Sequence, residues 1–272
     1  MTTTGTTRLS AVLNQNKTNQ RKNLVTFITA GDPDVGMTLK LMHALVAAGV
    51  DVIELGVPFS DPMADGPVIQ RASERAVANG VGLHDVLALV SEFRTIDKQT
   101  PVVLMGYANP IEHMGQDEFI KQSVASGVDG ALIVDYPPEE STAFAHNAQS
   151  AGLNVIYLVA PTTTEARMQS TAHIASGFIY YVSLKGVTGA GNLDVGAVKI
   201  QVAKLRGYTD LPINVGFGIS DATSARAVAD VADGVVIGSK LITLVETALK
   251  EGTDAVQVVS NWVADVRTAL DA

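Results

Sequence analysis

The sequence predicts an α/β fold, a single (β/α)₈ barrel with extra helices at its N-terminal and C-terminal ends. Eight short runs rich in β-branched and apolar residues recur along the chain, at intervals averaging about 30 residues, the length of a strand, a crossover helix and two turns. These runs are apolar on both faces, as strands of a parallel sheet covered on all sides must be. Amphipathic stretches with helical spacing lie between them. The open doubly wound sheet is the competing arrangement, but its G-x-G-x-x-G fingerprint is missing after the first run.

The predicted strands, in order, are Leu24–Thr29, Val52–Leu55, Val102–Met105, Gly130–Val134, Val155–Val159, Phe178–Val182, Ile213–Val215 and Val235–Ile237. The first runs into Ala30-Gly31-Asp32-Pro33-Asp34, a turn rather than a dinucleotide loop. Among the helical stretches, Met37–Ala48 places Leu41, Ala44, Leu45 and Ala48 on one stripe, and Ala222–Val231 follows a capping candidate at Ser220. Gly49, Gly127, Gly152 and Gly207 fall where helices should stop. Extra helical pieces appear at Leu9–Asn16, placed to plug the bottom of the barrel, and at Leu241–Leu249 and Asp254–Leu270. Residues 1–272 read as one domain, with the first seven frayed.

Composition narrows the function classes. The 47% hydrophobic and 17% charged content suits a globular chain with a large core. A net charge of −9 repels nucleic acid and anionic membrane, so an anionic ligand must be captured locally. The chain has no cysteine, which removes disulfides, thiolate metal sites and cysteine nucleophiles and suits a cytoplasmic protein. No secretory signal or membrane span is expected.

In a barrel of this kind the working residues sit after the C-terminal strand ends. Alternation along the second strand puts Glu54 on the face of Val52, opposite Ile53 and Leu55, so it points inward or sits half-buried. A carboxyl among apolar neighbours has a raised pKa and is a candidate proton donor and acceptor; a glutamate paired with a nearby cation is the alternative. The loop that follows, Gly56-Val-Pro-Phe-Ser-Asp-Pro-Met-Ala-Asp-Gly-Pro, adds Asp61 and Asp65, which either meet a ligand or shape an Asx-turn. Glycine-rich loops after strands six, seven and eight make Gly218, Gly238 and Ser239 candidate phosphate donors. His43, His146, His173 and His84 fall in helical stretches and only His113 in a strand-to-helix loop, so no metal site is assigned. Neither a Gly-x-Ser-x-Gly elbow nor a Walker loop occurs, and Lys185 reads as a solvated loop lysine before a Schiff-base one.

Five blocks together carry a resemblance: Phe27-Ile-Thr-Ala-Gly-Asp-Pro, Glu54 through Pro67, Met105-Gly-Tyr-Ala-Asn-Pro, Gly186-Val-Thr-Gly-Ala and Gly216-Phe-Gly-Ile. In this order, over nearly the whole chain, they resemble the tryptophan synthase α-subunit family. The resemblance implies a retro-aldol cleavage of indole-3-glycerol phosphate to indole and glyceraldehyde 3-phosphate. It implies that Glu54 protonates indole C3 and helps move the side-chain hydroxyl proton, and that Asp65 stabilises positive charge on the indole nitrogen. The implied indole pocket is Phe27, Met105, Tyr107, Leu132 and Tyr180, with Thr188 closing over it. Implied phosphate donors are Gly189, Phe217, Gly218, Gly238 and Ser239. The family works as an αββα complex that passes indole to a pyridoxal-phosphate β subunit, and Pro58, Asp61 and the loop at Asn109-Pro110 resemble its partner-facing elements. The chain itself is expected to need no cofactor. A stand-alone lyase that releases indole for another pathway stays open, as does a barrel kept mainly to regulate its partner; an epimerase barrel would want histidines at strand ends.

Overall fold

The computed structural model describes residues 7–183, 194–216 and 218–272. Eight parallel strands close on themselves in chain order: β1 (Asn23–Thr29), β2 (Val52–Gly56), β3 (Val102–Gly106), β4 (Gly130–Ile133), β5 (Asn154–Val159), β6 (Ile179–Val182), β7 (Ile213–Gly216) and β8 (Gly234–Ile237), with β8 pairing back to β1. Closure removes the open-sheet alternative. The eight predicted runs coincide with these strands to within a residue or so.

Helices pack outside. In order they are α1 (Arg8–Thr18), α2 (Val35–Ala47), α3 (Pro67–Ala78), α4 (Leu83–Ile96), α5 (Ala108–Met114), α6 (Gln116–Ser126), α7 (Thr142–Ser150), α8 (Glu165–Ile174), α9 (Val195–Leu205), α10 (Ala222–Ala229), α11 (Ser239–Glu251) and α12 (Ala255–Asp271). Leu41 and Leu45 of α2 and Val86, Val90 and Phe93 of α4 meet the outward faces Ile53 and Leu55 of β2 in one core. That interface is the main apolar burial in the molecule.

The barrel interior forms a second, separate cluster. Leu9 and Leu13 of α1 enter from the bottom and meet Val25, Val52, Val103, Leu132, Ile156, Phe178 and Val236. Helix α1 is therefore the expected plug, and it fills space that barrel side chains alone leave open.

Two local expectations need correction. The cap of α10 is Asp221, whose side chain accepts from the Ser224 N–H, and Ser220 lies one residue outside the helix. Aspartate is the better acceptor for an exposed helix N-terminus, because its charge also meets the helix dipole. The segment around Asn109-Pro110 is not a loop: it opens α5, which also contains His113. Pro110 sits in the first turn, where its missing N–H breaks no helical bond, and Asp135 accepts the Ala108 N–H at 2.7 Å.

Candidate active site

Register and alternation put Glu54 in the barrel interior beside Phe27 of β1 and Val103 of β3. It is 1% exposed, Oε1 has no hydrogen-bond partner, and no ion pair reaches it among the described residues. The cation-paired alternative finds no partner among the described residues. Desolvation first, then the nearby charge of Asp65, push its pKa up to about 8. At neutral pH it is a carboxylic acid rather than a carboxylate.

Asp65 lies on the β2–α3 loop, partly buried. Burial raises its pKa, while a hydrogen bond from the Tyr107 hydroxyl to Oδ2 (3.1 Å) acts the other way. The same phenol accepts the Ala64 N–H at 3.0 Å, and Gln70 Nε2 donates to the Asp65 carbonyl at 2.9 Å. The loop is held by specific bonds instead of by chain stiffness alone. Two acids with different surroundings result, one dry and unpartnered, the other tethered at a cleft wall.

Asp65, Phe27, Met105 and Tyr107 line one narrow cleft, together with Thr29, Gly56, Val57, Pro62, Ile69, Ser73, Gly106 and Val134. Its walls are mostly apolar with a few polar groups, as small-molecule sites are. Glycine is required at two positions: a Cβ on Gly56 would come within 2.6 Å of the Phe27 ring, and one on Gly216 would collide with the Tyr180 hydroxyl. Tyr180 follows Phe178 into the interior and feels both Glu54 and Asp65, which with burial hold its phenol far above its usual pKa. Leu132 is fully buried in the interior cluster, pairs with Met105 across β3–β4, and does not line the cleft.

Of the phosphate candidates, Gly238 is the N-cap of α11 and Ser239 its first residue, directly after β8, and no side chain caps that helix. Six other helices carry a side-chain cap, from Thr7, Asp34, Thr164, Asp194, Asp221 or Asp254. An uncapped helix N-terminus at this face offers N–H groups and a favourable dipole to an anion. Gly218, after β7, has φ +78°. Thr188, Gly189 and Phe217 lie outside the described residues, as does Lys185.

Pro58 is buried, whereas Asp61 is exposed and its carboxylate accepts from the Ser60 hydroxyl. Asn109 is exposed on α5. No three His, Cys, Asp or Glu side chains gather as metal ligands among the described residues. Sequence reasoning missed Ser73, a buried serine whose hydroxyl grips the β2–α3 loop. Its signal was available: a serine on the inner stripe of an amphipathic helix, next to Ala72 and Ala76, wants a polar partner.

A closed barrel whose C-terminal face holds a dry acid, a tethered carboxylate and an apolar cleft defines the class, a (β/α)₈-barrel enzyme. A family model described as tryptophan synthase alpha chain matches residues 13–270. The tryptophan synthase alpha chain of Ralstonia nicotianae is 58% identical over 97% of this chain and 99% of its own length. That of Burkholderia multivorans is 59% identical over 92% of each. Among solved structures, tryptophan synthase subunit alpha from Legionella pneumophila superposes with a TM-score of 0.93 at 44% identity, covering 98% of this chain and 99% of that one. The chain belongs to the tryptophan synthase alpha chain family. Its activity is that family's carbon–carbon lyase reaction, the retro-aldol cleavage of indole-3-glycerol phosphate into indole and glyceraldehyde 3-phosphate.

Proposed function

We propose that Glu54 and Asp65 carry this reaction between them, and that the barrel, read as one domain, needs no cofactor of its own to do so. Glu54, protonated at neutral pH, delivers its proton to indole C3, which turns the ring into a cationic leaving group. Asp65, ionised, stabilises the positive charge that appears on the ring nitrogen. The Glu54 carboxylate then accepts the proton of the adjacent side-chain hydroxyl as the carbon–carbon bond breaks. Its electron pair restores the aromatic indole, the hydroxyl carbon becomes the aldehyde, and the acid is regenerated. No oxidant or reductant is consumed.

Phe27, Met105 and Tyr107 would bound the indole, with Leu132 and Tyr180 backing them from the interior and Thr188 over it. Gly218, Gly238 and Ser239, joined by Gly189 and Phe217, would take the phosphate at a helix N-terminus. The single observation that carries the reading is the buried Glu54 carboxyl, without a cation among the described residues and in the field of Asp65. The relatives' name implies a β-subunit partner. We infer an αββα assembly in which indole passes to a pyridoxal-phosphate site on that partner, with Pro58, Asp61, Asn109 and Pro110 facing it. Cytoplasmic residence fits the absence of cysteine and of any helix, among the described residues, long and apolar enough to cross a membrane.

Indole release from indole-3-glycerol phosphate, with and without a β subunit, tests this. Glu54→Gln should lower kcat by about 10³-fold while substrate still binds. Asp65→Asn should lower it less. Equal rates in parent and Glu54→Gln would sink the assignment.

A further inference from the structure

The Asp65 loop leaves the barrel at Gly56 and returns at Gly66, and it is fastened at two places. At the far side Tyr107 holds Ala64 and Asp65, as described. At the near side the Ser73 hydroxyl, 4% exposed in the middle of α3, accepts the Phe59 N–H at 2.9 Å and donates to the Phe59 carbonyl at 2.8 Å. A helical serine ordinarily bonds back to its own helix; this one satisfies both main-chain groups of a loop residue fourteen positions earlier. The two fastenings touch, because the Phe59 and Tyr107 rings lie 5.4 Å apart at 31°. Between them Ser60, Asp61 and Met63 project into solvent, Met63 with 76% of its surface exposed.

The base of this clamp is rigid. Arg75, half a turn beyond Ser73 on α3, puts Nε and Nη2 on the buried Asp32 carboxylate at 2.7 and 2.9 Å and Nη1 on Glu246 of α11 at 2.8 Å. Helix α3 is thereby locked to the β1–α2 loop and to the helix whose N-terminus follows β8. A well-supported second row of contacts is what keeps a reacting group within a fraction of an ångström of its working position.

We propose that Ser73 is a positioning residue for the lyase reaction, setting through Phe59 and the Phe59–Tyr107 ring contact where the Asp65 carboxylate stands. The inference rests on the role proposed above for Asp65. Ser73 touches no reacting atom. Without its hydroxyl the Phe59 main chain loses both partners, the near end of the loop loosens, and Tyr107 no longer holds Asp65 in place. Phosphate capture lies elsewhere, at the end of β8, so the loss should appear in turnover and not in affinity.

Steady-state indole release by the parent, Ser73→Ala, Asp65→Asn and the double variant decides the matter. Ser73→Ala should lower kcat about tenfold with KM changed by less than about twofold, the scale expected for a misplaced reacting group. In the Asp65→Asn background it should add almost nothing, since both changes remove the same contribution. The acid limb of kcat/KM should also move to higher pH in Ser73→Ala and in Tyr107→Phe, because Asp65, raised by burial, loses the phenol bond that opposes the rise. Ser123→Ala, which deletes a fully buried and unpartnered hydroxyl on α6, should shift neither kcat nor the limb. If Ser73→Ala does not fold, Ser73→Cys, similar in shape but a weak donor, takes its place with the same readings. Parent-like kcat and pH profile, or full additivity with Asp65→Asn, overturns the inference alone. A parent that forms no indole with or without a β subunit overturns the proposed function and this inference together.

Discussion

Two sets of carboxylates, one at each end of the barrel, are treated in opposite ways. At the amino-terminal end, Asp51, Asp129 and Asp233 each precede a strand and repeat one device. The main-chain N–H of Asp51 donates to the Leu24 carbonyl while its side chain accepts the Leu24 N–H; Asp129 does the same with Val102, and Asp233 with Ile213. Each is also paired with arginine: Asp51 with Arg21 and Arg267, Asp129 with Arg8 and Arg94, Asp233 with Arg206. At the carboxyl-terminal end Glu54 and Asp65 have no cation among the described residues, and Glu54 lacks even a hydrogen bond on one oxygen. The saturated carboxylates fasten strands, whereas the carboxyl left short of partners is the one proposed to react. The difference matches the division of labour in barrels, stability below and reaction above.

The largest break in this contrast should come from Asp129→Ala. Burial already works against that cluster, raising the pKa of Asp129 and lowering that of Arg94. Removing the anion takes the short ion pair from the half-buried Arg94 and leaves the buried Val102 N–H without its side-chain acceptor, and the expected loss is about 3–5 kcal/mol by urea unfolding, the scale of breaking a buried pair. A loss below about 1 kcal/mol would mean the bottom carboxylates are no more structural than ordinary surface ions.

Glu54→Gln should move stability the other way. Its carboxyl titrates near 4.5 when unfolded and near 8 when folded, so the native state holds the extra proton between those values. Stability from this group is unimpaired below pH 4.5 and falls as pH rises towards 8, by roughly 3 kcal/mol at pH 7. The glutamine variant escapes that loss and should melt higher than the parent at pH 7 but not at pH 4.5. Equal melting at both pH values would place Glu54 in a wetter site than its burial indicates.

The same titration sharpens the comparison in kinetics. The role proposed for Glu54 requires it to carry a proton as the reaction begins, so kcat/KM should fall tenfold per pH unit above about 8. An alkaline limb displaced well below 7 would assign the acid to another group. The smallest effect should be at an ordinary helix cap: Asp221→Ala at the start of α10 should lower stability by about 1 kcal/mol, as measured by thermal unfolding.

Much of this was legible in the residues themselves. A period of two set Glu54 inside and Ile53 and Leu55 outside; the eight apolar runs set the strands; Leu9 and Leu13 set the plug. These are local patterns, and burial of one face enforces them wherever the chain folds. The resemblance blocks supplied the rest of the site as named positions. The bottom fastenings were present as Gly49-Val50-Asp51 and Gly127-Val128-Asp129, a repeat easy to pass over because nothing local says which strand the aspartate will grip. The opening of α5 was hidden by Pro110, which reads equally as a breaker or as a first-turn residue.

Sequence alone therefore determined the order of elements, the parallel strands covered on both faces and the face of β2 on which the first acid lies, since each follows from spacing along the chain. Only the tertiary structure decided that Glu54 has no cation among the described residues while Asp129 has two, that Tyr107 ties Asp65, and that Ser73 grips Phe59. Those facts join residues from different units, and a pKa or a clamp depends on which groups the closed barrel brings within a few ångströms.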